Sequence, residues 1–150
     1  MKTIAVAADH VGFSLKEACK ANLIQLGFQV QDFGTHSENS VDYPDVVHPL
    51  ANYLRQNPEI MAVLICGSGQ GVCMTANRYS HLRAALCWDK KIAILARQHN
   101  NANVLCLPAR FLAVQQGLAV LKAFLETPFE EGRHLVRINK INPETNQYAG

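Results

Sequence analysis

Short apolar runs and helical periodicities take turns along this chain with almost no interruption. Apolar β-type runs occupy residues 3–8 (TIAVAA), 28–33 (FQVQDF), 61–66 (MAVLIC), 83–88 (RAALCW) and 103–107 (NVLCL). Helical spacing of apolar residues fills 12–26, 44–56, 71–79, 89–98 and 110–126 between and after them. Runs 61–66 and 103–107 are apolar at nearly every position, as suits parallel strands covered on both faces. Strand–helix alternation with short links predicts a three-layer, doubly wound, Rossmann-like α/β fold on five parallel strands, in the order 2-1-3-4-5. At 150 residues the chain suits one domain spanning 1–150. After Pro128 the rhythm changes to a polar stretch with a short helical piece at about 131–140. This extra C-terminal helix belongs to an extension, about 128–150, expected to lie on a neighbouring subunit.

Composition excludes several classes. Apolar residues make up 49% and charged residues 17%, a globular balance, and a formal net charge of +2 with dispersed cations implies no nucleic-acid partner. No apolar run approaches the ~20 residues of a membrane span, and Asp9 and His10 close the first run too early for a signal peptide. The five cysteines (19, 66, 73, 87, 106) form an odd set without a CxxC pair, which points to reduced thiols and a cytoplasmic protein. Cys19, Cys73, Cys87 and Cys106 read as small core residues. No HxxxH, HExxH or cysteine–histidine spacing suggests a metal, and no cofactor is expected.

In an open parallel sheet, ligands bind beyond the carboxyl ends of the strands, at the switch in strand order. The residues to inspect are therefore Asp9 and His10 after the first strand, Cys66-Gly67-Ser68-Gly69-Gln70-Gly71 after the third, Trp88 and Asp89 after the fourth, and Pro108 to Arg110 after the fifth. The first and third strands flank the switch, so Asp9, His10, Cys66 and Ser68 should converge. The alternating glycines of CGSGQG let a turn aim several N–H groups at one anion. The loop is not a P-loop, and Val72 stands where a dinucleotide fingerprint needs its last glycine, although Asp89 imitates the ribose-binding acid in spacing. His99-Asn100 closes the fourth helix, where a histidine alone is as well explained by the helix dipole. Asp42-Tyr43-Pro44-Asp45 reads as a turn into a proline-started helix, and His36, His48 and His81 as surface or core-edge residues. Arg133 and Arg137 share one face of the C-terminal helical piece.

Taken together, ADHVGFSLK (8–16), DYPD (42–45), ICGSGQG (65–71), MTANR (74–78), RQHNNANVLCL (97–107) and EGRHLVRINKI (131–141) resemble the family of type B ribose-5-phosphate isomerases and galactose-6-phosphate isomerases. The resemblance spans nearly the whole chain. It implies interconversion of ribose 5-phosphate and ribulose 5-phosphate through an enediolate, with Cys66 as the base. It implies further that Ser68 and the amides of Gly67, Gly69 and Gly71 hold the enediolate oxygen, and that His99 opens the sugar ring. Asp9, Asn100 and Tyr43 would contact the sugar, and His10, Arg110, Arg133 and Arg137 the phosphate. The family site lies between subunits, which implies a homodimer or larger homo-oligomer. A second branch carries a glutamate base where this chain has Val72, so the thiol must serve here. Gln70 and CMTANR depart from the usual pattern and bear on sugar size. A six-carbon aldose 6-phosphate of the allose or galactose type is the alternative substrate. A non-catalytic phosphosugar-binding module is the alternative class, against which Cys66, Ser68, His99 and Asp9 together argue.

Overall fold

The computed structural model describes residues 2–143; the last part of the expected C-terminal extension, 144–150, lies outside them. Five strands, β1 (Thr3–Ala8), β2 (Gln29–Asp32), β3 (Met61–Cys66), β4 (Ala84–Leu86) and β5 (Val104–Pro108), form one all-parallel sheet. The helices are α1 (Phe13–Gln25), α2 (Tyr43–Gln56), α3 (Gln70–Ala76), α4 (Lys90–Asn100), α5 (Val114–Glu126) and α6 (Arg133–Ile138), with a 3-10 turn at Ala109–Phe111. The doubly wound fold and the extra C-terminal helix are as the sequence predicts.

Alternation along the strands divides the core in two. Ile4, Val6 and Ala8 of β1, Val63 and Ile65 of β3, and Leu105 and Leu107 of β5 face α1, α4 and α5. Ala5, Ala7, Leu64, Cys66, Val104 and Cys106 face α2 and α3. Each helix feeds one of these layers: Leu15, Cys19 and Leu23 of α1 and Leu121 and Phe124 of α5 go to the first, Val47, Leu50 and Leu54 of α2 to the second.

The expected strand order needs correction. The order is β2-β1-β3-β5-β4: β5 sits between β3 and β4, and β4 forms the edge. The reason is burial. All of β5 is buried, whereas each residue of the three-residue β4 is half-buried, the profile of a short edge strand. Right-handed crossovers then place α3 on the α2 side for the outward step and α4 on the α1 and α5 side for the return. This order sets Pro108 opposite Cys66, so the chain leaving β5, not β4, borders the Cys66 loop.

Candidate functional site

At the carboxyl ends of β1, β3 and β5 the fold gathers most of the predicted residues. Cys66 ends β3 on the α2–α3 face and is only 5% exposed. The carbonyl of Gly67 accepts a hydrogen bond from the Arg110 amide at 2.9 Å. The Arg110 guanidinium packs 3.2 Å from where a Gly67 Cβ would stand. Gly69 starts α3 with φ +74°, and a side chain there would strike Leu86 at 2.4 Å. A Cβ on Gly71 would meet the Tyr43 ring at 2.5 Å, so this glycine lets the ring lie over the loop. The Ser68 hydroxyl oxygen accepts from the Gln70 amide at 3.3 Å, closing the turn on itself. Val72 is fully buried in the core, away from any role in proton transfer.

Asp9 and His10 are fixed beside this loop. The Asp9 amide donates to the carbonyl of Ile65 at 3.2 Å, tying the end of β1 to the end of β3. Asp9 Oδ1 accepts from the amides of Val11 and Gly12, both at 3.0 Å, which leaves Oδ2 without a hydrogen bond among the described residues. His10 Nδ1 accepts from the Val41 amide at 3.2 Å. A backbone N–H can only donate, so Nδ1 is unprotonated and Nε2 carries the proton, making His10 a donor toward a ligand. Gly12, to which the sequence reading gave no role, is indispensable to this geometry. A Cβ there would lie 2.7 Å from the Ile65 carbonyl oxygen.

Burial pushes Cys19 and Cys87 up to about 12 and raises Cys106 too, whereas the Cys106 thiol beside it lowers half-buried Cys73. Cys73 faces the carbonyl of Ala84 and borders the core rather than filling it. Asp89 caps α4 by accepting from the Ile92 amide at 2.9 Å, which accounts for the acid that imitates a ribose ligand. His81 is held by the carbonyl of Ala51 at 2.8 Å, a structural contact.

His99, Asn100, Arg133 and Arg137 do not join this group. Helix α4 runs antiparallel to the strands, so its last residues lie at their amino ends. The carbonyl of Asn101 accepts from Arg83, just before β4, and Asn103 Oδ1 accepts from the Arg83 amide. Helix α5 returns to the same end, where the Gln98 carbonyl accepts from the Glu130 amide and α6 follows. With five residues in β5, the two groups are separated by roughly 16 Å at about 3.3 Å per residue.

At this second end, residues that sequence reasoning passed over surround His99. The His134 ring stacks on it, centroids 4.4 Å apart and planes 13° from parallel. Glu130 Oε1 lies 3.8 Å from His99 Nε2 and 3.3 Å from His134 Nε2. The spacing of Glu130 and His134, four residues apart, was the signal available for them. These three groups also bring metal-ligand atoms within 4.8 Å of one another, and sequence spacing does not tie His99 to the other two.

Comparison with known proteins identifies the family. The family model described as ribose/galactose isomerase matches residues 4–141. The probable ribose-5-phosphate isomerase B of Mycoplasma pneumoniae is 45% identical over 92% of this chain and 91% of its own length. The ribose 5-phosphate isomerase of Thermotoga maritima superposes with a TM-score of 0.91 at 46% identity, covering 93% of this chain and 97% of that one. The ribose-5-phosphate isomerase B of Mycoplasma genitalium, solved with bound ribulose-5-phosphate, gives a TM-score of 0.89 at 42% identity and covers 93% of both chains. The chain belongs to the ribose/galactose isomerase family.

Proposed function

We propose that this chain is an aldose–ketose isomerase interconverting ribose 5-phosphate and ribulose 5-phosphate, with Cys66 moving the proton. The observation that carries this reading is the placement of one buried thiol in a glycine-lined turn, between Asp9 and His10 on one side and Arg110 on the other. Once the ring is open, the Cys66 thiolate takes the proton from C2 of the aldose and returns it to C1 of the enediolate. Ser68 Oγ–H and the amides of Gly67, Gly69 and Gly71 hold the oxygen on which charge develops. Asp9 Oδ2 takes a sugar hydroxyl, and Tyr43 forms a wall. The Nε2–H of His10 and the Arg110 guanidinium hold the phosphate.

The active unit in this reading is a homodimer or larger assembly. His99 as the ring-opening group, Asn100 on the sugar, and Arg133 and Arg137 on the phosphate all lie at the far end of the sheet from Cys66 of the same chain. They can serve only a Cys66 site of another copy. The leading phosphate ligands of both ends then close on one dianion. Five free cysteines suit a cytoplasmic setting.

The test is an isomerase assay on five- and six-carbon aldose phosphates, with and without exhaustive chelation. Ribose 5-phosphate should be turned over fastest, and EDTA should leave the rate unchanged. Preferential turnover of a six-carbon substrate would move the assignment to that branch of the family. Loss of activity in EDTA, restored by a divalent ion, would overturn proton transfer by the thiol alone.

A further inference from the structure

Among the described residues His134 Nε2 is buried with no hydrogen-bond partner, although the Glu130 carboxylate lies 3.3 Å away. An unpaired buried polar atom is costly, so its presence next to a carboxylate calls for an explanation. A metal ion is a poor one. An imidazole nitrogen donates to a metal in the plane of its ring, and two rings stacked 13° from parallel cannot both aim in-plane lone pairs at a point between them.

The arrangement suits orientation instead. His134 is 5% exposed and cannot turn freely, so its flat face fixes the plane of the more open His99 ring, whose side chain is 40% exposed. Glu130, half-exposed on a flexible stem, reaches both Nε2 atoms. A small rotation lets it accept from one ring or the other. With Glu130 facing Nε2, His99 exchanges the ring-opening proton at Nδ1, and the carboxylate accepts from Nε2–H, orienting the ring and stabilising the imidazolium as in a general-base dyad. The 3.8 Å separation is loose, as catalytic hydrogen bonds often are before substrate binds.

We propose that Glu130 and His134 are positioning residues for His99, one by its carboxylate and the other by its stacked face. This rests on the reading of His99 as the ring-opening group, so the experiment treats the two separately. Aldose turnover and solvent proton exchange at C1 of ribulose 5-phosphate are measured for His99→Asn, Glu130→Gln, His134→Ala and His134→Phe. The ketose cannot close to a furanose, so exchange reports the thiol without ring opening. Glu130→Gln should lower kcat for the aldose by about tenfold, with KM and C1 exchange within about twofold of the unaltered enzyme. His134→Ala should show the same selective loss, and His134→Phe should recover most of it because the flat face returns. If His99→Asn slows exchange as much as aldose turnover, the ring-opening reading itself fails. A selective loss in His99→Asn with none in Glu130→Gln overturns the positioning role. So does a Glu130→Gln effect confined to KM, which would mean only that α6 and its arginines had shifted. Equal losses in His134→Phe and His134→Ala would remove the stacking part.

Discussion

Cys66 differs from the other cysteines by position rather than by burial alone. Cys19, Cys87 and Cys106 are enclosed by core and their thiols are raised, so they stay protonated and unreactive near neutrality. Cys66 ends a strand at the start of the glycine loop, on which Arg110 packs at Gly67 and Tyr43 at Gly71. The expected outcome of Cys66→Ala is loss of isomerisation by at least about a hundredfold with substrate binding retained, checked by a binding isotherm beside the rate. Iodoacetamide should inactivate the unaltered enzyme, and substrate should protect it. Cys73 complicates the labelling, because its thiol is lowered by Cys106 and is only half-buried. Peptide mapping must therefore show substrate protection at Cys66. Protection confined to Cys73, or full turnover in Cys66→Ala, would move the base elsewhere.

At the scale of elements, the loop that carries Asp9 and His10 is held by a tie between α1 and β2. Lys16 is fully buried and donates to both oxygens of Asp32, at 2.9 and 2.7 Å, and to Glu17 at 3.1 Å. Lys20 shares the same carboxylate at 2.7 Å. Asp32→Asn leaves the Lys16 ammonium buried with one exposed partner, and should cost on the order of 3–5 kcal/mol, or on the order of 10 °C in Tm. Lys16→Met should cost less, because Lys20 still pairs Asp32. Burial alone would raise the Asp32 carboxyl, but Lys16, Lys20 and the Gly34 amide outweigh it and hold it below the usual carboxylate range. Its folded pKa being depressed, the stabilisation is complete above about pH 4 and is lost as pH falls through the folded value. The Tm difference between the unaltered protein and Asp32→Asn should shrink in that acid window. A constant difference down to the acid transition would mean the ion pair contributes packing only.

For the whole molecule, the separation of the two residue groups predicts complementation between subunits. Arg137→Ala should raise KM about tenfold or more, given one lost charge-assisted phosphate contact. Mixing Arg137→Ala chains with Cys66→Ala chains, under conditions of subunit exchange, creates dimers in which one site has Cys66 from one chain and Arg137 from the other. At substrate well below KM, activity should return to about a quarter of the unaltered level, since half the dimers are mixed and each has one intact site of two. Verified exchange with no recovery would place both residues in one subunit's site and refute the shared arrangement.

Periodicity and end signals in the sequence determined which segments are strands and helices, which faces are apolar, and which residues stand at strand ends. The strand-end positions of Asp9, Cys66 and Ser68 were legible for that reason: Asp9 directly follows an apolar run, Cys66 ends one, and Ser68 stands two residues beyond it. Neighbour order was not, because an apolar face records that a strand or helix is covered but not by what. Run 103–107 is the more fully apolar of the last two, which suits cover on both faces, but that pattern does not name the strand beside it. Only the tertiary structure put β5 beside β3, which brought Arg110 onto Gly67 and carried α4 to the opposite layer. The same long-range packing stacked His134 on His99 and set both at the far end from the thiol. These are contacts between distant parts of the chain, fixed by the energy of closing the whole core, and no local spacing of residues encodes them.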